Sequence, residues 1–453
     1  MATREMVAGS KPVRNALASS TSASYIRPLA ILTTLFFLWG FLTSLNDILI
    51  PHLKSISDFG YTKVMLVQLA FFSAYFFFSV PWSLVVNKIG YQKTMVVGLV
   101  TMSLGALLFV PAASFGSYAL LLTGLMILAA GITGLQVAAN PYVLVLGKPE
   151  TASSRLNLTQ AFNSLGTTLA PALGGIFILS SAPLAAEQLR QLSPQALHAY
   201  RMSQAAAVKM PYIVISIALI LLAVAIARFR LPKIENPAVI PGEKIKDSIW
   251  KHPNLLFGAL GIFAYVGAEV SIGSFMVSYL GQPEIAGLSP KIAAGYVSFY
   301  WGGAMVGRFI GAAVLQKVKT GRLLAVCTVC SATLVTFSML TSGHAAMWSM
   351  IGVGLFNSIM FPSIFALGVA ELGPLTGSGS GLMNMAIVGG AIIPVLQGAI
   401  ADRIGIHHAF LLPVICYLYI LFYAVRGSMP NSERYAHGLQ VVTRSVGHHA
   451  ISR

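Results

Sequence analysis

Apolar runs of about 20 residues recur about twelve times along this chain, and that feature constrains its fold more than any other. They fall near 29–50, 64–86, 93–112, 118–147, 156–180, 211–229, 253–280, 292–316, 322–341, 345–370, 376–400 and 408–427. A helix rises roughly 1.5 Å per residue, so each run is long enough to cross a hydrocarbon core of roughly 30 Å. A β-barrel would need shorter segments of alternating hydrophobicity. The composition points the same way, because a chain that is 56% hydrophobic and 9% charged cannot be a water-soluble globule at this length. The expectation is an all-α membrane protein of twelve transmembrane helices in a lipid bilayer. Residues 1–28 are rich in Ser and Ala but have no apolar core, so they read as a tail and not as a cleaved secretory signal. The first span then serves as the insertion signal.

A formal net charge of +16 raises the question of nucleic acid, but the basic residues lie between spans and at the termini. Arg4, Lys11, Arg14 and Arg27 precede the first span. Lys88 and Lys93, Lys148 and Arg155, Arg228 to Lys251, and Lys317 to Arg322 fall in alternate loops. The opposite loops hold mainly Arg190, Arg201 and Lys209, in the long 181–210 segment. The asymmetry places the basic loops and both termini in the cytoplasm, with the chain in the cell (inner) membrane and no nucleic-acid partner. Three cysteines do not make a disulfide framework, and Cys327 and Cys330 form a CxxC inside an apolar helix, where packing is the simplest role.

The chain repeats itself internally. "LGTTLAPALGG" (165–175) answers "VGGAIIPVLQG" (388–398), with Gly166 and Gly389, Pro171 and Pro394, Leu173 and Leu396, and Gly175 and Gly398 at one constant offset. At nearly that offset "PYVLVLG" (141–147) answers "PSIFALG" (362–368), and Asp47 answers Glu269. The organisation expected is a cytoplasmic N-terminal tail (1–28), a six-helix half (29–229), a cytoplasmic linker (230–252), a second six-helix half (253–427) and a cytoplasmic C-terminal tail (428–453). Two pseudo-symmetric halves around a mid-membrane site is a layout of transporters that rock between two open states.

Asp47 and Glu269 are the acids placed well inside predicted spans, whereas Glu371 and Asp402 lie at span ends. A charge at the centre of a transmembrane helix costs about 2.5–3.5 kcal/mol on insertion scales, so such a residue usually faces a bundle interior and marks an ion or substrate path. Their matched positions make Asp47 and Glu269 candidates for proton or cation coupling, against the alternative of hydrated or satisfied structural acids. Around them the spans carry uncharged polar groups suited to a sugar: Asn46, Gln136, Asn140, Gln160, Asn163, Asn357 and Asn384. Amides donate and accept, matching hydroxyls in both directions. Trp39, Phe71, Tyr75 and Trp301 offer stacking faces, and Glu269 doubles as an acceptor for sugar hydroxyls. For any single amide, helix–helix bonding is as good a reading as ligand contact. Arg308, in "GGAMVGRFIGAA", follows the close-packing glycines Gly303 and Gly307 and is expected towards the cytoplasmic end as a topology or gate residue.

The blocks "FFLWGFLTSLNDILIPHLK", "GLQVAANPYVLVLG", "RLNLTQAFNSLG", "YVGAEVSIGSF" and "FNSIMFPSIFALG" resemble the fucose:proton symporter family of the major facilitator superfamily, and the resemblance runs through nearly all spans. "NKIGYQK" (87–93) and "QKVKTGR" (316–322) resemble degenerate forms of the superfamily's basic turn. The resemblance implies the major facilitator fold, sugar uptake coupled to a cation, and participation of Asp47 in protonation. One departure matters. Fucose permeases of this family carry a second acid directly before the AANP-type block, where this chain has Gln136, which cannot titrate. Gln136 together with Glu269 is similar to the glucose/galactose and N-acetylglucosamine branch.

The function expected is a secondary active importer of a neutral hexose, glucose or galactose first and N-acetylglucosamine or fucose next. It would be driven by H⁺, with Na⁺ the alternative. A transporter-like sensor and a passive facilitator are the competing classes. No HExxH, P-loop, GxSxG or Cys–His arrangement points to an enzyme, and "GSGSG" (377–381) lacks the Lys-Ser/Thr of a phosphate loop. No organic cofactor or metal is expected, and a monomer is the expected state.

Overall fold

The structure, a computed structural model, describes residues 25–56, 61–115, 117–178, 191–229, 231–232 and 247–429; the side chains at 43, 45–56, 61–68, 171–178, 194, 197–199, 201–208 and 290–291 lie outside that description. It is helical throughout the described spans. The first half consists of α1 (Ile26–Ile56), α2 (Tyr61–Ile89), α3 (Tyr91–Phe115), α4 (Tyr118–Val145), α5 (Ala152–Ile178) and α6 (Pro194–Arg228). In the second half, α7 (Pro253–Leu280), α8 (Pro290–Val314) and α9 (Thr320–Leu340) are single helices. The tenth span is divided into α10 (Gly343–Asn357) and α11 (Met360–Gly368), the eleventh into α12 (Thr376–Met385) and α13 (Gly389–Ile404), and the twelfth into α14 (Ile406–Ala409) and α15 (Leu411–Phe422). Among the described residues, nine segments are long and apolar enough to cross a membrane. The helices α1, α5 and α8 complete the twelve by order in the chain.

Exposed apolar side chains recur at helical spacing on single faces: Val214, Ile217, Leu221 and Val224 on α6, and Leu411, Ile415, Leu418 and Phe422 on α15. In water such stripes would be a liability, and in a bilayer they meet acyl chains.

The duplication seen in the sequence is a duplication of packing. In the first half α1 lies on α5, α2 on α4, α3 on α4 and α6. In the second half α7 lies on α13, α8 and α9 on α10, and α9 on α15. The repeated glycines explain the first pairing: a Cβ on Gly166 would run into the Phe37 carbonyl of α1, and one on Gly389 into the Phe263 carbonyl of α7. Each half thus needs a glycine there to bring its fifth helix against its first.

Three features depart from the sequence reading. The long 181–210 loop is shorter than expected, because α6 begins at Pro194, with the Ser193 hydroxyl capping the Ala196 N–H at 3.2 Å and an Ala-rich first stretch to propagate it. The tenth span breaks at Ser358 and Ile359, four and three residues before Pro362, where the ring removes a helix hydrogen bond. The eleventh span passes through a short tight turn at Ala386–Val388 instead of running straight.

Candidate functional site

In the first half, Gln136 sits midway along α4, half-buried, and its Nε2 donates to the hydroxyl of Tyr75 on α2 at 2.9 Å. Tyr75 is buried, with Phe71 edge-on at 5.8 Å. One turn further along α4, fully buried Asn140 accepts from Gln160 of α5 at 3.3 Å, while its own Nδ2 has no hydrogen-bond partner. Asn163 donates to the Phe36 carbonyl at 2.9 Å, tying α5 to α1. Trp39 is buried and packs edge-on against Phe36 at 5.3 Å. The backbone of Asn46 and Asp47 is helical within α1, and their side chains lie outside the described residues.

The second half answers with a denser cluster. Glu269 of α7 is half-buried; its Oε1 accepts from Tyr265 at 2.7 Å, one helical turn earlier. The Tyr300 hydroxyl on α8 reaches the Glu269 carbonyl at 3.3 Å and accepts from Asn357 Nδ2 at 2.9 Å. Asn357 Oδ1 in turn accepts from Tyr417 of α15 at 2.8 Å and from Ser331 of α9 at 3.3 Å. Asn357, Tyr300 and Tyr417 are fully buried. Four spans therefore meet at one amide. Asn384 on α12 is buried too, donating to the Ser380 carbonyl at 2.8 Å, with its Oδ1 unpartnered. Trp301 packs edge-on against Tyr300 at 5.1 Å and lies 3.0 Å from where a Cβ on Gly273 would stand.

The sequence reading singled out the amides and the acids, but not Tyr265, Tyr300 and Tyr417. A signal for Tyr300 existed, since Asn357 follows Gln136 at the repeat offset and each reaches a tyrosine on the second helix of its own half. Nothing in sequence spacing could bring Tyr417, from the last span, to the same amide group.

The halves are hydrogen-bonded to each other towards the basic end. Among the described residues, every hydrogen bond between them lies towards the end carrying the basic loops 88–93, 148–155 and 317–322. Asn87 of α2 donates to the Ser378 hydroxyl at 3.1 Å. Across α5 and α8, Asn157 donates to the Arg308 carbonyl at 2.7 Å and Ser154 to the Ala312 carbonyl at 2.6 Å. Beyond α8, Thr320 bonds Ser153 at 2.9 Å. Arg308 bridges the halves through its side chain, donating to the Ser164 hydroxyl of α5 and, through Nε, to the Ser358 carbonyl at 3.2 Å. Arg308 lies in the part of α8 nearer the end that carries the basic loops, the end to which the sequence reading assigned it. The small residues of "TGSGSG" (376–381) let α12 approach α2: a Cβ on Gly381 would stand 2.7 Å from the Ser83 side chain.

Two six-helix halves are hydrogen-bonded to each other towards the basic end, each carries an amide–tyrosine pair, and each has an acid within its first helix. This is the architecture of an alternating-access membrane carrier. The family model described as Major Facilitator Superfamily matches residues 31–393. The chain belongs to the Major Facilitator Superfamily. It is 50% identical over 424 residues to the "Glucose/galactose transporter" of Brucella abortus, covering 93% of this chain and 100% of that one. Among solved structures it is similar to a single-substitution variant of the Escherichia coli fucose:proton symporter FucP, with a TM-score of 0.84 at 33% identity, over 90% of this chain and 100% of that one. FucP in a structure described as the outward conformation matches with a TM-score of 0.83 at 33% identity, over the same shares of the two chains.

Proposed function

We propose that this protein imports a neutral hexose, glucose or galactose, by symport with a proton. The observation that carries the reading is the pairing of the half-buried Gln136 amide with Tyr75 on one side and of half-buried Glu269 with Tyr265 and Tyr300 on the other. Together these offer donors, acceptors and aromatic faces that match hydroxyl groups, and the positive charge of Arg308 that acts on this cluster is opposed by the Glu269 carboxyl. A 50% identical relative named as a glucose/galactose transporter and a structural relative named as a fucose:proton symporter support the same solute class.

Asp47 is the proton site in this proposal. A carboxylate in an apolar span is costly in a closed, dry cavity, so the carrier reorients once a proton has neutralised it. Glu269 binds sugar hydroxyls from the opposite half. The basic loops and both termini face the cytoplasm, the membrane is the cell (inner) membrane, and the protein works as a monomer.

Uptake of labelled hexoses into proteoliposomes tests the reading. Accumulation of glucose or galactose driven by an inward proton gradient without Na⁺ is expected. Accumulation that requires Na⁺ would replace the ion, preference for N-acetylglucosamine or fucose would replace the sugar, and equilibration without accumulation would make the protein a facilitator.

A further inference from the structure

Proline has no N–H, so inside a helix it leaves the carbonyl four residues earlier without its partner. In α4, Pro141 does this to Val137; in the tenth span, Pro362 does it to Ser358. The two prolines occupy matched positions in the repeat, "PYVLVLG" and "PSIFALG". Buried carbonyls of this kind are normally satisfied elsewhere, and both are. Val137 accepts from the Ser380 hydroxyl of α12, in the other half, at 2.9 Å. Ser358 accepts from Arg308 Nε at 3.2 Å, and the same guanidinium reaches Ser164 in the other half. Each carbonyl follows immediately on a candidate sugar amide, Gln136 or Asn357.

We propose that these two proline-freed carbonyls are the latch of the basic-end gate. Val137 is held by Ser380, and Ser358 is held by Arg308, which in turn reaches Ser164. When the gate opens, α12 leaves α4 and α5 leaves α8, and both bonds between the halves must break. The freed carbonyl of Val137 then stands beside Gln136 as an acceptor for a sugar hydroxyl or water. A carbonyl within an unbroken helix can also accept from across the gate, as that of Arg308 does from Asn157, but it shares its oxygen with a helical N–H, a competitor that the Val137 oxygen lacks. Ser380, Arg308, Pro141 and Pro362 are positioning residues in this scheme: they set the balance of open and closed states without forming the sugar site. The scheme rests on the transport reading above.

The test is a distance measurement between spin labels at Lys88→Cys and Lys317→Cys, in a background whose native cysteines are replaced and whose thermal unfolding matches that of the parent protein. Losing one hydrogen bond of ordinary strength should raise the ratio of basic-end-open to closed molecules roughly three- to ten-fold in Ser380→Ala. Pro141→Ala supplies an N–H that competes for the Val137 carbonyl, so it should give the same shift, and the double variant should add nothing further. Arg308→Lys keeps the charge but loses the Nε donor, and should shift the ratio in the same direction. Unchanged distances in Ser380→Ala, or additive shifts in the double variant, overturn the latch. Failure of the parent protein to take up any hexose, with these shifts present, would sink the sugar reading and leave the latch standing.

Discussion

The first half leaves its central amide lightly held, and the second locks its counterpart. Gln136 has Tyr75 as its hydrogen-bond partner and stays half-exposed, whereas Asn357, at the matched place in the repeat, is fully buried among Tyr300, Tyr417 and Ser331. Duplication copied the glycine contacts and the amide–tyrosine pair, but the second half adds Tyr417 and Ser331 around its amide. A buried amide with three hydroxyl partners is costly to disturb, so it fixes a core; an amide with one partner can exchange that bond for a ligand's hydroxyl. The acid of the second half is held as well. Glu269 is tied to Tyr265 and backed by Tyr300, so its geometry is set before any solute arrives. The second half is therefore the more firmly held wall around its amide, and the first the one whose amide can exchange its partner.

The largest effect should come from the acids and would break this division most directly. Asp47→Asn keeps the shape and hydrogen bonding of the protonated form but cannot release a proton. It should still exchange labelled for unlabelled sugar across the membrane and lose accumulation driven by a proton gradient. Glu269→Gln should weaken sugar binding while leaving the remaining uptake proton-driven. The opposite pattern, with Glu269→Gln alone abolishing accumulation, would move the proton site to α7.

The amides come next. Gln136→Ala should weaken sugar binding by about 1–3 kcal/mol, the cost of leaving hydroxyls unpaired, with little change in the thermal unfolding midpoint. Asn357→Ala leaves three buried hydroxyls without their partner and should cost about 1–3 kcal/mol of stability for each group that finds no replacement. Ligand titration and thermal unfolding on both variants separate the two roles. Equal stability losses would show that the halves are not divided in this way.

Much of this was legible in the sequence. The spans, the duplication and the place of Arg308 nearer the basic-loop end follow from hydropathy, constant offsets and the position of the residue in its span, all of which are local or periodic signals. The tyrosine cluster was not legible, because Tyr265, Tyr300 and Tyr417 sit on the seventh, eighth and twelfth spans and meet only once those helices are packed. Pro141 and Pro362 were read as repeat markers, yet their effect on Val137 and Ser358 depends on which side chain faces the freed carbonyl. The break between α10 and α11 was hidden for a related reason: apolar content marks the span, while the missing N–H of Pro362 interrupts it.

The smallest expected effect lies at the entry to the second half, outside the membrane. Asp247 accepts from His252 at 2.7 Å and from the Ser248 N–H at 2.8 Å, just before α7 begins. The His252 bond first, and the Ser248 N–H second, hold the Asp247 carboxyl below the usual carboxylate range. A carboxyl depressed on folding stabilises the fold at pH values above its unfolded value, near 3.9 for Asp, and that contribution fades as pH falls through the lower folded value. The pair is exposed and screened by salt, so the contribution is small. Asp247→Asn should leave hexose uptake unchanged, lower the unfolding midpoint slightly at neutral pH and low salt, and converge with the parent protein in acid or at high salt. A difference that persists in acid would mean that Asp247 orders the start of α7 through its shape and not its charge, and would make this junction a structural part of the fixed half.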